Sequence, residues 1–164
     1  MSEETVPINA YLKSVRGQME RRAGYMAMIH DEISGRYGKE IAFDILSTAI
    51  KNYGKWFAER QMRENREFQT PDTRKWLPKT KWEARIMEKK VIDASTDKTV
   101  MTENYCAMVE AWKKLGKTKD EIKTLCDIAM FLEEGMNQEY PITMKTDKRI
   151  GWGDQCCRFI LEKK

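Results

Sequence analysis

The sequence predicts an α+β fold: a mainly helical N-terminal half, then a small antiparallel sheet of about three strands, ending in a C-terminal hairpin and covered by helices. Three observations carry this. Apolar residues recur at helical spacing through the first 67 residues. Residues 68–80, FQTPDTRKWLPKT, hold two prolines and no helical period, so they connect rather than pack. Near the C-terminus two alternating stretches flank the turn residues GWGD. At 164 residues the chain is read as one domain, 1–164, with a helical part over about 9–67, a loop at 68–80 and an α+β part at 81–164.

The elements follow in order. Leu12, Val15, Met19, Met26, Ile29 and Ile33 form an amphipathic stripe that Ser34-Gly35 and Gly38 bring to an end. A second helix is expected to bury Ile41, Ile45, Ala49, Tyr53, Trp56, Phe57 and Arg60, with Gly54 costing about 1 kcal/mol against alanine. After the loop, Trp82, Ala84 and Ile86 alternate with Glu83, Arg85 and Met87, which predicts a half-buried strand. Thr102 then caps a helix carrying Tyr105, Met108, Val109 and Trp112, stopped by Gly116. Thr118-Lys-Asp-Glu121 reads as a capping box, and the helix it opens carries Ile122, Leu125, Cys126, Ala129, Leu132 and Glu133 on one face until Gly135 closes it. Ile142, Met144 and Thr146 alternate, Gly151-Trp-Gly-Asp154 turns the chain, and Cys157, Phe159 and Leu161 alternate again.

Composition narrows the function. Thirty basic and 26 acidic residues leave a net charge of +4, and the basic runs are broken by Glu64 and Glu83, so no concentrated face for nucleic acid is expected. No stretch reaches the roughly 20 apolar residues of a membrane span. The opening MSEETVPINAYLK has no apolar run, so no secretory signal is expected. A cytoplasmic protein with four reduced cysteines follows. Their spacing, 106, 126, 156 and 157, contains no CxxC, and neither GxGxxG, P-loop nor HExxH occurs.

The chemistry-bearing residues are few. Neighbours on a strand face opposite ways, so Cys157 turns inward with Phe159 and Leu161 while Cys156 turns outward with Arg158. Cys126 lies on its helix's apolar stripe and Cys106 flanks the stripe of the helix before it. Three thiols from three elements thus point inward, as free cysteines commonly do on packing grounds alone. Glu133 stands seven positions after Cys126 on the same face, and a carboxylate on an apolar stripe gathers at active sites because burial raises its pKa. Glu134, one step round the helix, is its rival. Asp154 is read first as a turn-former, and His30, the single histidine, lies beside Ile29 near the edge of the first stripe.

The blocks YCAMVEAWKKLG (105–116), EIKTLCDIAMFLEEGM (121–136) and IGWGDQCCRF (150–159) resemble the L-2-amino-thiazoline-4-carboxylic acid hydrolase family. RYGKEIAFDILSTAIKNYGKWFAER (36–60) is similar to that family's leading half more loosely. The family pattern places one cysteine in each block, here Cys106, Cys126 and Cys157. A remoter similarity is to small-molecule-binding domains related to 4-vinyl reductase. The resemblance implies a hydrolase that opens a cyclic amidine C–N bond, with water adding between sulfur and nitrogen. In that reading a thiolate of Cys106 or Cys126 attacks, Cys106 being favoured by a helix N-terminus, and Glu133 moves the proton. Arg85 or Arg158 clamps the substrate carboxylate, and Asp154 and His30 are further substrate-binding candidates. No cofactor is expected; a variant of the reading has the three thiols hold zinc that activates the water. The expected partner is a small-molecule substrate, without nucleic acid or membrane and with room for a homo-oligomer. The competing class is a non-enzymatic sensor or carrier whose cysteines only line the pocket.

Overall fold

A computed structural model describes residues 7–164; the first six residues of the opening segment lie outside it. Two long helices lead, α1 (Ile8–Tyr37) and α2 (Lys39–Glu64), separated by Gly38 alone. Two short 3-10 turns, Arg66–Gln69 and Thr73–Trp76, occupy the proline-bearing connection. Then come α3 (Lys81–Ile86), β1 (Lys89–Ala94), β2 (Lys98–Glu103), α4 (Ala107–Lys114), α5 (Lys119–Glu139), β3 (Ile142–Lys148) and β4 (Cys157–Lys163). The four strands form one antiparallel sheet in the order β1-β2-β4-β3. The α+β class therefore holds, with one strand more than expected.

The extra strand comes with two corrections. Residues 82–86, expected as a strand, are helix α3: Thr80 accepts from the Glu83 N–H at 3.1 Å, and Glu83 reaches back to the Lys79 N–H at 2.8 Å, which fixes the first turn. Thr102, expected to cap the helix that follows it, lies in β2 opposite Arg158, and Cys106 holds the cap position of α4 instead. Between these, residues 89–103 form the β1–β2 hairpin.

Helix α2 carries the largest surprise. Its buried face is Ala42, Leu46, Ser47, Gly54 and Ala58, whereas Ile41, Ile45, Tyr53, Trp56 and Phe57 are all exposed. The helix is thus turned by one residue, about 100°, from the expected orientation. The reason is its partner. α2 packs along α5, and at their crossing Gly54 lies against the Leu132 carbonyl while Gly135 lies against the Lys51 carbonyl. A Cβ on Gly135 would stand 2.9 Å from the Lys55 nitrogen, so neither helix tolerates a side chain there. Backbone packs on backbone, and the small residues face inward. Gly135 therefore does not close α5, which runs on to Glu139.

Two apolar clusters complete the molecule. One joins α1, α4 and α5 through Ala23, Ala27, Val109, Trp112 and Leu125, and the Trp112 indole N–H donates to the Ala23 carbonyl at 3.0 Å. The other packs Met101, Ile142 and Leu161 of the sheet against Ala58, Phe68 and Tyr140. In α1 the fully buried positions are Ala23, Ala27 and His30, while Ile29 is exposed. Among the described residues no helix is long and apolar enough to cross a membrane.

Candidate functional site

A cavity of about 420 Å³ lies between the sheet and helices α1, α3, α4 and α5. Its walls include Cys106, Cys126, Cys157 and Glu133, together with Lys89 and Glu103. The strand register explains half of this set. Lys89 on β1 pairs with Glu103 on β2, and Glu103 pairs with Cys157 on β4. Side chains directly opposite on one face stand about 5 Å apart at their Cβ atoms, so a cation, a carboxylate and a thiol sit in one row across three strands.

Helices supply the remainder. Cys106 caps α4, and Cys126 projects from the second turn of α5 against Gly151. A Cβ on Gly151 would stand 2.5 Å from Cys126 Cβ and 2.7 Å from its sulfur, so glycine is needed for this approach. The Ile150 N–H donates to Cys157 Sγ at 3.4 Å. Most other wall residues are apolar, among them Met19, Val109, Ala129 and Phe159.

Burial sets the protonation states. Loss of hydration pushes the Cys126 thiol up to about 11 and that of Cys157 up to about 12. Cys106 is also raised by burial: the backbone N–H groups of Met108 and Val109 act against the shift without forming a capping hydrogen bond, and burial outweighs them. The expectation of a thiol lowered by its helix terminus is therefore reversed, and all three are neutral at pH 7. Glu103 is likewise raised, because desolvation outweighs the attraction of Lys89, whose Nζ lies 3.2 Å from Oε1.

Glu133 is raised to about 7, again through burial; the Thr146 hydroxyl, donating at 2.9 Å, and Arg149 act in the opposite sense. It also borders a second, outer groove of about 450 Å³ lined by Asp127, Asn137, Thr146 and Arg149. Glu134 lines that outer groove as well, ion-paired with Lys51, and of the two only Glu133 also lines the thiol cavity.

The remaining sequence candidates are elsewhere. Arg85 lies over the Trp82 ring on the exposed side of α3, its guanidinium 5.9 Å from the centroid. Arg158 pairs with Asp147 on the face of β4 opposite Cys157. Asp154 accepts from the Arg149 N–H at 2.8 Å and shapes the turn. His30 is buried in α1, with Nδ1 3.7 Å from Asp31 and Nε2 without a hydrogen-bond partner, away from the cavity walls. The cations that do line the cavity are Lys89 and Arg22. Among the described residues no group of three or more His, Cys, Asp or Glu side chains is arranged to hold a metal ion.

Sequence reasoning missed Lys89 because it gave residues 88–101 no element, and Glu103 because it placed that residue in the helix expected after Thr102 rather than in β2. The signal was the turn-forming Ser95-Thr96-Asp97 between β-branched Val91-Ile92 and Thr99-Val100.

Among curated protein sequences no relative matches this chain. A solved structure similar to it is a trafficking protein particle complex subunit 3 from Naegleria fowleri covalently bound to palmitic acid, at 10% identity and a TM-score of 0.49, covering 90% of this chain and 95% of that one. The family of L-2-amino-thiazoline-4-carboxylic acid hydrolases matches residues 18–161, a span from α1 to β4 that contains every residue named above as lining the cavity. By that match the chain belongs to the L-2-amino-thiazoline-4-carboxylic acid hydrolase family.

Proposed function

We propose that the thiol-lined cavity hydrolyses a small cyclic amidine bearing a carboxylate, opening its ring at the C–N bond. The observation that carries this reading is Glu133, a carboxyl held at about 7 on the wall of an otherwise largely apolar cavity. A group with that pKa is half ionised at neutral pH and can both take and return a proton.

Glu133 takes a proton from water as hydroxide adds to the carbon between sulfur and nitrogen, and passes that proton to the ring nitrogen. It then takes the new hydroxyl proton as the C–N bond breaks. The bonding pair goes to nitrogen, which receives this second proton from Glu133. The product is an open-chain amine joined through sulfur to a carbamoyl group. Lys89 receives the substrate carboxylate and Glu103 the amidinium, the two exchanging their mutual ion pair for contacts to substrate.

Cys106 is the thiol that the N–H groups of α4 act upon, and it is the candidate nucleophile if sulfur rather than water attacks first. Cys126 and Cys157 shape the wall. Turnover of 2-aminothiazoline-4-carboxylate measured for wild type and Glu133→Gln tests the assignment. Loss of 10²- to 10⁴-fold in kcat is expected, and an unchanged kcat removes Glu133 from the chemistry. Intact-mass analysis of Cys106→Ser beside wild type during turnover separates the routes, since a sulfur-bound intermediate appears in wild type only on the thiol route. The three neutral thiols and the apolar wall also favour a second reading, a binding domain without turnover; a ligand-induced thermal shift with no product would establish it.

A further inference from the structure

The thiol cavity is larger than the ring it is proposed to open. 2-Aminothiazoline-4-carboxylate, with nine non-hydrogen atoms, fills about 150–200 Å³ at the packing density of an organic solid. The cavity offers about 420 Å³, so the ring accounts for less than half of it. Polarity around this space is sorted by element. Its partly buried charges, Lys89, Glu103 and Glu133, come from β1, β2 and α5, whereas α1, α3 and α4 present Val15, Met19, Ile86, Met108, Val109 and Trp112. The other charged wall residues, Arg22 and Glu83, are exposed.

We infer, resting on the hydrolase reading above, that the substrate is a cyclic amidine carboxylate bearing an aliphatic substituent, seated against α1, α3 and α4 while the ring sits at Lys89, Glu103 and Glu133. The volume beyond the ring has room for roughly five to eight methylenes at about 30 Å³ each, close to the share of a water in the liquid. Ring and substituent together then match a cavity whose charge is gathered at one part of its wall.

Hydrocarbon suits that wall better than water does. A water held inside a protein needs at least two polar partners. The six side chains named are hydrocarbon, thioether or indole, and the Trp112 indole N–H already donates to the Ala23 carbonyl at 3.0 Å. Val15, Met19, Ile86 and Met108 are each only partly buried, so a substituent lying against them covers apolar surface that the fold itself leaves open. Two of the six are methionines, unbranched and polarizable, which settle readily around a chain. Binding energy gained there is remote from the reacting carbon and can be used to lower the barrier.

Each methylene moved from water onto the wall is worth about fourfold, so five methylenes with half of that gain realised give roughly 30-fold in kcat/KM. The test compares 2-aminothiazoline-4-carboxylate with two n-pentyl derivatives, one substituted at the ring carbon beside sulfur and one on the exocyclic nitrogen. Wild type is expected to favour at least one derivative by roughly 30-fold. Met19→Trp, which fills the apolar end, is expected to erase that preference. If Met19→Trp does not turn over the parent compound, Val15→Trp, one turn earlier on α1, takes its place. Equal kcat/KM, or preference for the parent over both derivatives, overturns the inference and leaves the hydrolase reading standing. A preference that survives the tryptophan overturns the seat against α1. Absence of turnover for parent and derivatives alike overturns the hydrolase reading itself, and this inference with it.

Discussion

Replacing Glu133 by glutamine should change how stability depends on pH, independently of any substrate. The unfolded chain ionises this carboxyl near its ordinary 4.5, and the folded chain near 7. Between those values the folded state keeps a proton that the unfolded state has lost, so stability falls as pH rises through the window and levels off above it. At 1.36 kcal/mol per pH unit the gap corresponds to about 3 kcal/mol. Glutamine keeps the shape and can still accept from Thr146, but has no such dependence. Other titrating groups are common to both chains and cancel in the difference. Glu133→Gln should therefore gain about 3 kcal/mol on wild type between pH 4.5 and pH 8, or roughly 10 °C in Tm for a chain of this size. Urea unfolding of both proteins at half-unit steps of pH measures this. Parallel curves would refute the claim that burial holds the carboxyl half-protonated, and with it the basis for Glu133 as proton carrier.

Other outcomes follow from the same geometry. At pH 8 iodoacetamide should alkylate Cys156 well before Cys106, Cys126 and Cys157, read by peptide mass spectrometry, because burial raises all three cavity thiols. Gly135→Ala should cost about 3 kcal/mol in urea unfolding, since the new methyl meets the α2 backbone, whereas Gly17→Ala, with open space around it, should not destabilise. Lys89→Met should raise KM at least tenfold for a carboxylate-bearing substrate, while Arg85→Ala and Arg158→Ala leave it unchanged, because only the first of these cations lines the cavity.

The inward turn of Cys157 and the apolar face of α5 were legible because each rests on a period repeated over several residues. The orientation of α2 was not. Its stripes at 41, 45, 49, 53, 57 and at 42, 46, 50, 54, 58 are one residue apart, and hydrophobicity ranks the exposed one higher. What decides is the glycine crossing with α5, a close approach of two backbones that rewards small residues and leaves no trace in an apolar count. The strand expected at 82–86 failed differently. Six residues cannot separate a period of 2 from 3.6, yet Thr80-Lys-Trp-Glu83 repeats the T-x-x-E pattern that was used at Thr118. Arg85 and Arg158 had no spacing to place them, and the cations at the cavity depend on a cross-strand register that emerges only when β1, β2 and β4 pair.

Glu133 has one side on the thiol cavity and the other on the groove of Asn137, Thr146 and Arg149. A carboxyl with two such outlooks can exchange its proton by either of two routes, through the thiol cavity or through the outer groove, so blocking one of them need not isolate it.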